Sequence, residues 1–340
     1  MVEKIYENIY RIVVVLPNNP LKQLNSYVIK GKGRNLIIDT GFNCSESFEA
    51  LTDGLKELNI DMKDTDVFLT HFHADHVGLV NHLTENSKDS VIYMHPFEKE
   101  ITDSYMKNDN LWNTQLSRFL REGFPEEELK LVYKNHPGKK HQPPGFFDTV
   151  PVEEGSVVKV GDIELKCIVT PGHTIGHTCL YYEKEKILFS GDNVLFDITP
   201  NIAFFPDRKD ALSCYFDSLR KVEKLDVKLC FPGHRAVSDN LKGRVNELLE
   251  HHEERLQEAL DILKENPGIS GYGVAKRLKW SIRAKDWNDF PAGQKWFAVS
   301  ECVAHLDYLV NAGAAECREQ PMEGRQVTSY YPVKEKINII

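Results

Sequence analysis

The chain has 340 residues, of which 41% are hydrophobic and 27% are charged. This composition supports a large folded core, excludes collagen-like and disordered proteins, and leaves room for about two domains. Acidic residues outnumber basic ones by 51 to 42, and the formal net charge of -9 argues against a protein that binds nucleic acid over its whole surface.

The first part of the chain contains only short apolar runs. The longest run near the start covers residues 12–16, far short of the ~18 residues that a membrane span requires, so we expect a cytoplasmic protein without membrane contact. The runs at 12–16, 26–29 and 36–38 are separated by turn residues and predict antiparallel strands. Residues 46–58 carry apolar side chains three and four positions apart, which predicts an amphipathic helix before a strand at 67–69.

The middle of the chain changes character. Residues 97–150 have a helical pattern that ends in a stretch rich in proline, histidine and lysine, and we interpret them as an insertion. Strand patterns then resume, and they are followed by a helix at 211–225 and a strand at 228–231. The resumed strands are predicted at 157–160, 164–169, 179–182 and 187–190.

After residue 240 the pattern is mostly helical. Three helices and a hairpin in this order indicate a winged-helix-like module. We therefore predict a catalytic domain over residues 1–240 and a winged-helix-like domain over residues 241–340. The elements of the second domain are predicted at 240–265, 272–278 and 294–311 for the helices and at 314–318 and 326–333 for the strands.

The strand at 67–69 runs directly into the sequence His-Phe-His-Ala-Asp-His. The alternation of side chains along a strand points His71 and His73 to the same side, and the turn that follows lets Asp75 and His76 form a second pair of ligands. This segment predicts a site that can serve two adjacent metal ions.

Three later strands share one format, in which a short apolar strand ends at a glycine followed at once by a potential ligand. The ligands delivered in this way are His173, Asp192 and His234. Side chains at strand ends can assemble a site from distant parts of a sequence. Two metals about 3.5 to 4 Å apart can share a bridging carboxylate, and Asp192 is the natural bridge.

The pattern HxHxDH, followed by His, Asp and His in order, resembles the metallo-β-lactamase superfamily over roughly residues 1–240. The resemblance implies an α+β fold, a four-layer αββα sandwich with the metals at one edge of its two sheets. Carried over residue by residue, it implies these ligands: His71, His73 and His173 for the first metal, Asp75, His76 and His234 for the second, and Asp192 for both.

Two zinc ions are the expected cofactors, although histidine and aspartate also suit iron and manganese. The residues expected to take part in catalysis are His71, Asp75 and Asp192. Two further residues are expected to support the ligands rather than bind metal. They are Asp39, in the family's opening strands, and His177, in a turn that resembles the family's GHTxGH sequence.

The resemblance implies hydrolysis by a metal-bound hydroxide, most simply of a small-molecule ester or thioester, as in glyoxalase II and its relatives. The insertion is a candidate lid, because its aromatic residues could line an apolar acyl pocket or equally pack a small core of their own. The aromatic residues concerned are Trp112, Phe119, Phe124, Phe146 and Phe147.

The C-terminal module resembles the helical end of a lactamase-like endoribonuclease subgroup of the superfamily. A metal-dependent endoribonuclease acting on single-stranded RNA is therefore the alternative function. Basic residues between 276 and 295, interleaved with Trp280, Trp287 and Trp296, could bind phosphates and stack bases. They could also be a solvated face with tryptophans in the core, which the near-neutral charge of the module favours. A non-catalytic regulator is the third possibility, and the oligomeric state stays open.

Overall fold

The computed structural model describes residues 1–107, 110–205, 210–281, 284–322 and 324–339. Within them, the first sheet has seven strands in chain order, antiparallel from the first to the fourth and parallel from there on. These strands are β1 (Val2–Tyr6), β2 (Ile9–Val15), β3 (Gln23–Lys30), β4 (Asn35–Ile38), β5 (Thr65–Phe68), β6 (Ile92–Met94) and β7 (Val150–Pro151).

The second sheet of the described residues has the strand order β12, β11, β10, β9, β8, and a small third sheet has the order β13, β15, β14. Only the pair β11 and β12 is parallel. The strands are β8 (Val157–Val160), β9 (Ile163–Val169), β10 (Thr178–Tyr182), β11 (Ile187–Gly191), β12 (Leu229–Pro232), β13 (Ile269–Ser270), β14 (Ala315–Met322) and β15 (Arg325–Pro332).

The helices flank the sheets and fill the insertion and the C-terminal region. None of those in the described parts of the chain is both long and apolar enough to cross a bilayer. They are α1 (Ser45–Glu57), α2 (Ala74–Val77), α3 (Val80–Thr84), α4 (Pro96–Lys107), α5 (Asn110–Arg121), α6 (Glu126–Asn135), α7 (Pro137–Lys140), α8 (Ala211–Glu223), α9 (Leu241–Glu265), α10 (Gly271–Ala275) and α11 (Ala292–Asn311).

The two large sheets pack face to face, and helices cover their outer faces. Side chains alternate along each strand, so on β3 Ile29 lies between the sheets while Val28 packs with Leu51 of α1 on the outside. On β10, Leu180 lies between the sheets while Cys179 packs in the outer core that contains α8. The predicted α+β fold with αββα layers is therefore confirmed.

The insertion and the C-terminal region share one hydrophobic core with α8. Phe119 of α5 lies 4.1 Å from Trp296 of α11 between ring centroids, and both side chains are buried. A charged network also joins them, since Arg118 contacts Glu122 and reaches Asp307 of α11 at 2.8 Å. The apolar packing therefore continues across residue 240, and the domain division there stays a prediction.

Several strand boundaries differ from the sequence expectation. Strand β14 runs to Met322, beyond the predicted end at residue 318, because its ladder with β15 continues to the pair Met322 and Arg325. The sequence reasoning also missed β1, β6, β7 and β13, which have five, three, two and two residues. Such short segments carry too few alternating positions to stand out in a sequence.

Candidate metal centre

The seven predicted ligands come together at one edge of the two large sheets. They lie in the segments that follow β5, β9, β11 and β12, and two of them, Asp75 and His76, belong to the short helix α2. Six of the seven are buried, and His73 is half-buried. Three groups of them have ligand atoms within 4.8 Å of one another: His71, His73 and His173; His71, His76 and Asp192; and Asp75, His76 and His234.

The first group consists of three imidazoles whose nitrogens converge. His73 Nδ1 lies 3.0 Å from His71 Nε2 and 3.0 Å from His173 Nε2. Ligands at about 2.0–2.1 Å around a tetrahedral zinc ion have similar separations from one another. The group therefore has the composition and spacing of a three-histidine metal site.

The second group combines imidazoles with carboxylates. Asp75 Oδ2 lies 3.3 Å from His234 Nε2 and 3.7 Å from His76 Nε2. Asp192 stands between the two groups, because its Oδ2 is 3.6 Å from His173 Nε2 and 3.5 Å from His234 Nε2. Its other oxygen, Oδ1, is 3.7 Å from His76 Nε2. This position fits the predicted bridging carboxylate.

The outer nitrogens of three ligand histidines are held by hydrogen bonds. The Nδ1–H groups donate from His76 to Asp39 at 2.8 Å, from His173 to the Asn201 carbonyl at 2.8 Å, and from His234 to the Gln23 carbonyl at 2.7 Å. In the neutral form of each ring, these bonds fix the tautomer with its hydrogen on Nδ1, so that Nε2 is the nitrogen left to bind a metal ion.

The cluster contains buried polar atoms that no described residue satisfies. They include Nε2 of His76, Nε2 of His234 and Oδ1 of Asp192. Buried polar groups are almost always hydrogen-bonded, so such a concentration of unpaired ligand atoms is unusual for a purely structural cluster. Cations placed among them would satisfy all three, and five imidazoles with two carboxylates form a donor set that zinc accepts.

The charge states of the cluster also suit metal binding. Burial disfavours the charged form of Asp75, but His76 and His234 outweigh burial and lower its pKa to about 2. Burial lowers the pKa of His73 to about 3. Burial also opposes protonation of His234, but the Asp192 and Asp75 carboxylates outweigh it and raise the pKa of His234 to about 10. A metal ion bound there would therefore displace a proton.

Asp39 and His177 occupy the supporting positions that the sequence suggested. Asp39 adopts a left-handed backbone conformation with a φ of 60° and accepts hydrogen bonds from the backbone N–H and the hydroxyl of Thr70, at 2.9 and 2.8 Å. The backbone N–H of Asp192 donates to His177 Nε2 at 3.1 Å. His177 therefore positions the Asp192 loop and belongs to none of the three ligand groups.

Two of the glycines next to ligands are required by close approaches. Gly191 has a φ of 48°, and a Cβ atom there would lie 2.6 Å from His177 Nε2. A Cβ atom on Gly233 would lie 2.6 Å from Asp192 Oδ1. Side chains at these positions would push the carboxylate or its support out of the cluster.

Glu98 is a supporting residue that sequence reasoning missed. This buried side chain of α4 accepts hydrogen bonds from the Phe72 backbone N–H at 2.8 Å and from the Gly176 backbone N–H at 2.6 Å. It thereby joins the loop that carries His71 and His73 to the loop that carries His173. Burial raises its pKa to about 7. A single glutamate on a helix carries no local signal, because both of its partners are distant in sequence.

The C-terminal region reaches the cluster through Asn201. The carbonyl of Asn201 accepts from His173, and its side-chain amide donates to Glu301 Oε2 of α11 at 2.9 Å. Glu301 is thus two hydrogen bonds away from a ligand nitrogen. No motif around Asn201 places it near the cluster, so sequence reasoning missed this residue as well.

A cavity of about 660 Å³ adjoins the cluster, and His73, Asp75, His173 and Asp192 are among the residues that line it. Its volume lies within the usual range for small-molecule sites. Residues of the insertion and of α11 form much of its wall. The aromatic side chains that line it are Phe42, Phe72, Tyr105, Trp112, Phe119, Phe204, Phe205, Trp280, Trp296 and Phe297.

Of the five aromatic residues of the insertion for which both a pocket and a packing role were open, two line the cavity and three do not. Trp112 and Phe119 line the cavity. Phe124 does not, because it is fully buried behind Phe119. Phe147 packs in a separate core beside the first sheet, and Phe146 is 55% exposed on the surface.

Comparisons with known proteins agree with this geometry. A family model described as the metallo-beta-lactamase superfamily matches residues 20–234. The chain is 28% identical over 297 residues to the beta-lactamase-like protein 2 homolog of Caenorhabditis elegans, covering 85% of this chain and 83% of that protein. It is 28% identical over 235 residues to the atrochrysone carboxyl ACP thioesterase of Emericella nidulans, covering 69% of this chain and 59% of that protein.

Two solved structures have the same fold over almost the whole chain. A metallo-beta-lactamase family protein from Thermus thermophilus has a TM-score of 0.81 at 25% identity, covering 97% of this chain and all (100%) of the other. A beta-lactamase domain protein from Burkholderia ambifaria has a TM-score of 0.82 at 23% identity, covering 98% of this chain and 94% of the other. The shared fold thus includes the C-terminal region.

Proposed function

Because the chain belongs to the metallo-beta-lactamase superfamily, it is an enzyme of the hydrolase type, and we propose that it uses two zinc ions to hydrolyse thioesters or esters of small molecules. The observation that carries the proposal is the cluster of seven ligands at the end of an aromatic cavity. A relative named as an acyl carrier protein thioesterase supports the thioester in particular.

The ligand groups define where the ions would be held. His71, His73 and His173 would hold one ion, Asp75, His76 and His234 the other, and Asp192 both. When bound, such a pair lowers the pKa of water and stabilises the negative charge that develops on the attacked oxygen.

The side chains around the cluster provide the orientation. Asp75 is ionised and lines the cavity, so its carboxylate can accept a hydrogen bond from a water molecule between the two groups and direct it at the substrate. The hydrogen bonds to Asp39, Asn201 and Gln23 keep the histidines in place while charge develops. A thiolate leaving group has an ordinary pKa of about 8.5, so a thioester needs less help from a general acid than an oxygen ester.

A panel of substrates tests this function. The zinc-loaded protein is assayed with thioesters, lactones, phosphodiesters and single-stranded RNA, and its metal content is measured. We expect two zinc ions per chain and the highest kcat/KM on a thioester or ester. The variant His82→Ala should keep both the metal and the activity, because His82 bonds to Asn43 outside the cluster. A chain that binds no divalent metal, or that cleaves only phosphodiesters, would contradict the proposal.

The ribonuclease alternative has less support. Trp287 and Trp296 are 8% and 5% exposed, so their rings pack inside the protein and are not available on its outer surface for stacking on the bases of an RNA strand. Lys295 is also buried and pairs with Glu128. These contacts favour a packing role for Trp287, Trp296 and Lys295. The other described basic residues of this segment, Lys276, Arg277, Lys279 and Lys285, are exposed. Salt-sensitive binding of single-stranded RNA would support the ribonuclease function.

The third possibility, a non-catalytic regulator, also has less support. The complete ligand set is assembled, and residues of α11 form part of the cavity wall beside it. A role for the C-terminal region in closing the substrate site therefore accounts for its position without a separate binding partner.

A further inference from the structure

The cavity beside the metal cluster is walled by rings that already contact one another. Phe119 lies 4.1 Å from Trp296 and 5.1 Å from Phe204 between centroids, and the second pair is edge-to-face. Aromatic pairs in offset or edge-to-face geometry are worth more than their buried area alone. A ring system that enters the cavity can make the same kind of contact with the ring surfaces that face it, which a linear chain of the same size cannot.

His136 is a polar group held within this aromatic wall. Its ring lies 5.0 Å from Trp112, 5.0 Å from Trp296 and 5.8 Å from Phe297 between centroids. These three neighbours pack around the imidazole and restrict its orientation. His136 itself lines the cavity.

The first turn of α7 fixes the tautomer of His136. The Gly138 backbone N–H donates to His136 Nδ1 at 3.1 Å, so Nδ1 carries a lone pair. Burial lowers the pKa of His136 to about 4, so the ring is neutral at pH 7 and its hydrogen is on Nε2. No residue in the described part of the chain accepts a hydrogen bond from this Nε2–H group.

The acyl half of a thioester is the half that fits this cavity. Where the carrier half is a carrier protein, it is too large for a cavity of about 660 Å³ and must stay in solvent. The acyl half ends at the carbonyl carbon and can enter the cavity beyond the metal cluster. Its atoms then lie against the rings that surround His136.

We propose that the cavity selects an acyl group built on a ring system, and that the Nε2–H group of His136 donates a hydrogen bond to an oxygen on that ring system. The predicted preference in hydrolysis rests on the proposed thioesterase function. The predicted binding of the free acid does not depend on it. His136 is thus a specificity-determining residue that takes no part in bond cleavage.

The test compares matched acyl groups. Thioesters of N-acetylcysteamine with naphthoic, methoxynaphthoic and undecanoic acids are assayed with the zinc-loaded full chain, and binding of the three free acids is followed by tryptophan fluorescence. Naphthoyl and undecanoyl have equal numbers of carbon atoms. We expect kcat/KM about tenfold higher for naphthoyl than for undecanoyl, and tighter binding of the naphthoic acids.

Variants of His136 test the hydrogen bond. His136→Asn keeps an oxygen that can accept from Gly138 but removes the ring donor, and His136→Phe keeps a ring without a donor. In the wild type, the methoxy oxygen should improve binding about fivefold, and both variants should lose this gain. His141→Asn, the same change on the same loop outside the cavity lining, should keep it.

The outcomes separate the two proposals. Binding of the naphthoic acids without hydrolysis of any thioester would refute the proposed function and leave the cavity assignment in place. Equal kcat/KM values for naphthoyl and undecanoyl would overturn the preference for a ring system. A methoxy gain that survives in both His136 variants would overturn the role of His136.

Discussion

The metal cluster and the aromatic cavity wall are neighbours in space, but they are built in different ways. Each ligand follows a strand and a local sequence pattern, so the cluster is assembled by short loops on a rigid sheet edge. The wall is assembled by helices of the insertion and by α11, whose contacts join Phe119 to Trp296 across the sequence. Short sequence patterns therefore determine which residues form the cluster, whereas contacts between distant segments shape the cavity that a substrate would occupy.

The largest expected effect separates the chemistry from the packing. His71→Ala or removal of metal by a chelator should lower kcat/KM by about a thousandfold or more, because the water-activating site is lost. The fold should persist, since the sheets are held by separate apolar cores. Rates and circular dichroism spectra check both parts, with His82→Ala as the control. Wild-type turnover by His71→Ala would show that the cluster is not the catalytic centre.

Substitutions in the cavity wall, in contrast, should lower the stability of the fold. Phe119 is 1% exposed and packs against Trp296 and Phe204, so Phe119→Ala should reduce the free energy of unfolding by about 3 kcal/mol. Urea denaturation measures the change. Phe146→Ala, at a side chain that is 55% exposed, should cost less than about 0.5 kcal/mol. Equal stabilities of the two variants would mean that the insertion does not share the core.

Glu301 tests the connection between the two regions. Glu301→Ala removes the acceptor for Asn201, whose carbonyl orients His173, and should weaken zinc affinity by about 10- to 100-fold. Glu301→Gln retains an oxygen acceptor and should stay near the wild type. Competition with a chromophoric chelator measures the affinity without reference to turnover. Unchanged affinity in Glu301→Ala would show that α11 does not position the ligand.

The smallest expected effect concerns pH and the C-terminal region. His305 bonds to His252 at 3.0 Å, and burial lowers the pKa of His305 to about 3. Below about pH 6.5, His305 is protonated in the unfolded chain but not in the folded one. The free energy of unfolding therefore falls by about 1 kcal/mol per pH unit as the pH decreases further. His305→Leu should show a shallower loss of unfolding free energy between about pH 6.5 and 5.5. An identical slope in the variant would place the acid sensitivity elsewhere.

The sequence patterns identified the parts of the site that depend on local order. His71, His73, Asp75 and His76 follow one strand, and these residue types at this spacing are typical of metal ligation. The same reasoning could not find Glu98, because its two partners belong to loops that only the fold brings to α4. It also could not separate the aromatic residues that line the cavity from Phe124, Phe146 and Phe147, since the residue type alone does not indicate what a side chain will face.

The residues that form the His/Asp cluster could be predicted from the amino-acid order, because each of them follows a strand pattern in a short stretch of chain. The fold class and the hydrolase type followed from the resemblance that those motifs carry. The folded molecule was needed to show how Asp39, Asn201 and Glu98 support the ligands, and which aromatic residues face the cavity. Those relations depend on contacts between segments that are far apart in sequence, and no local periodicity records such contacts.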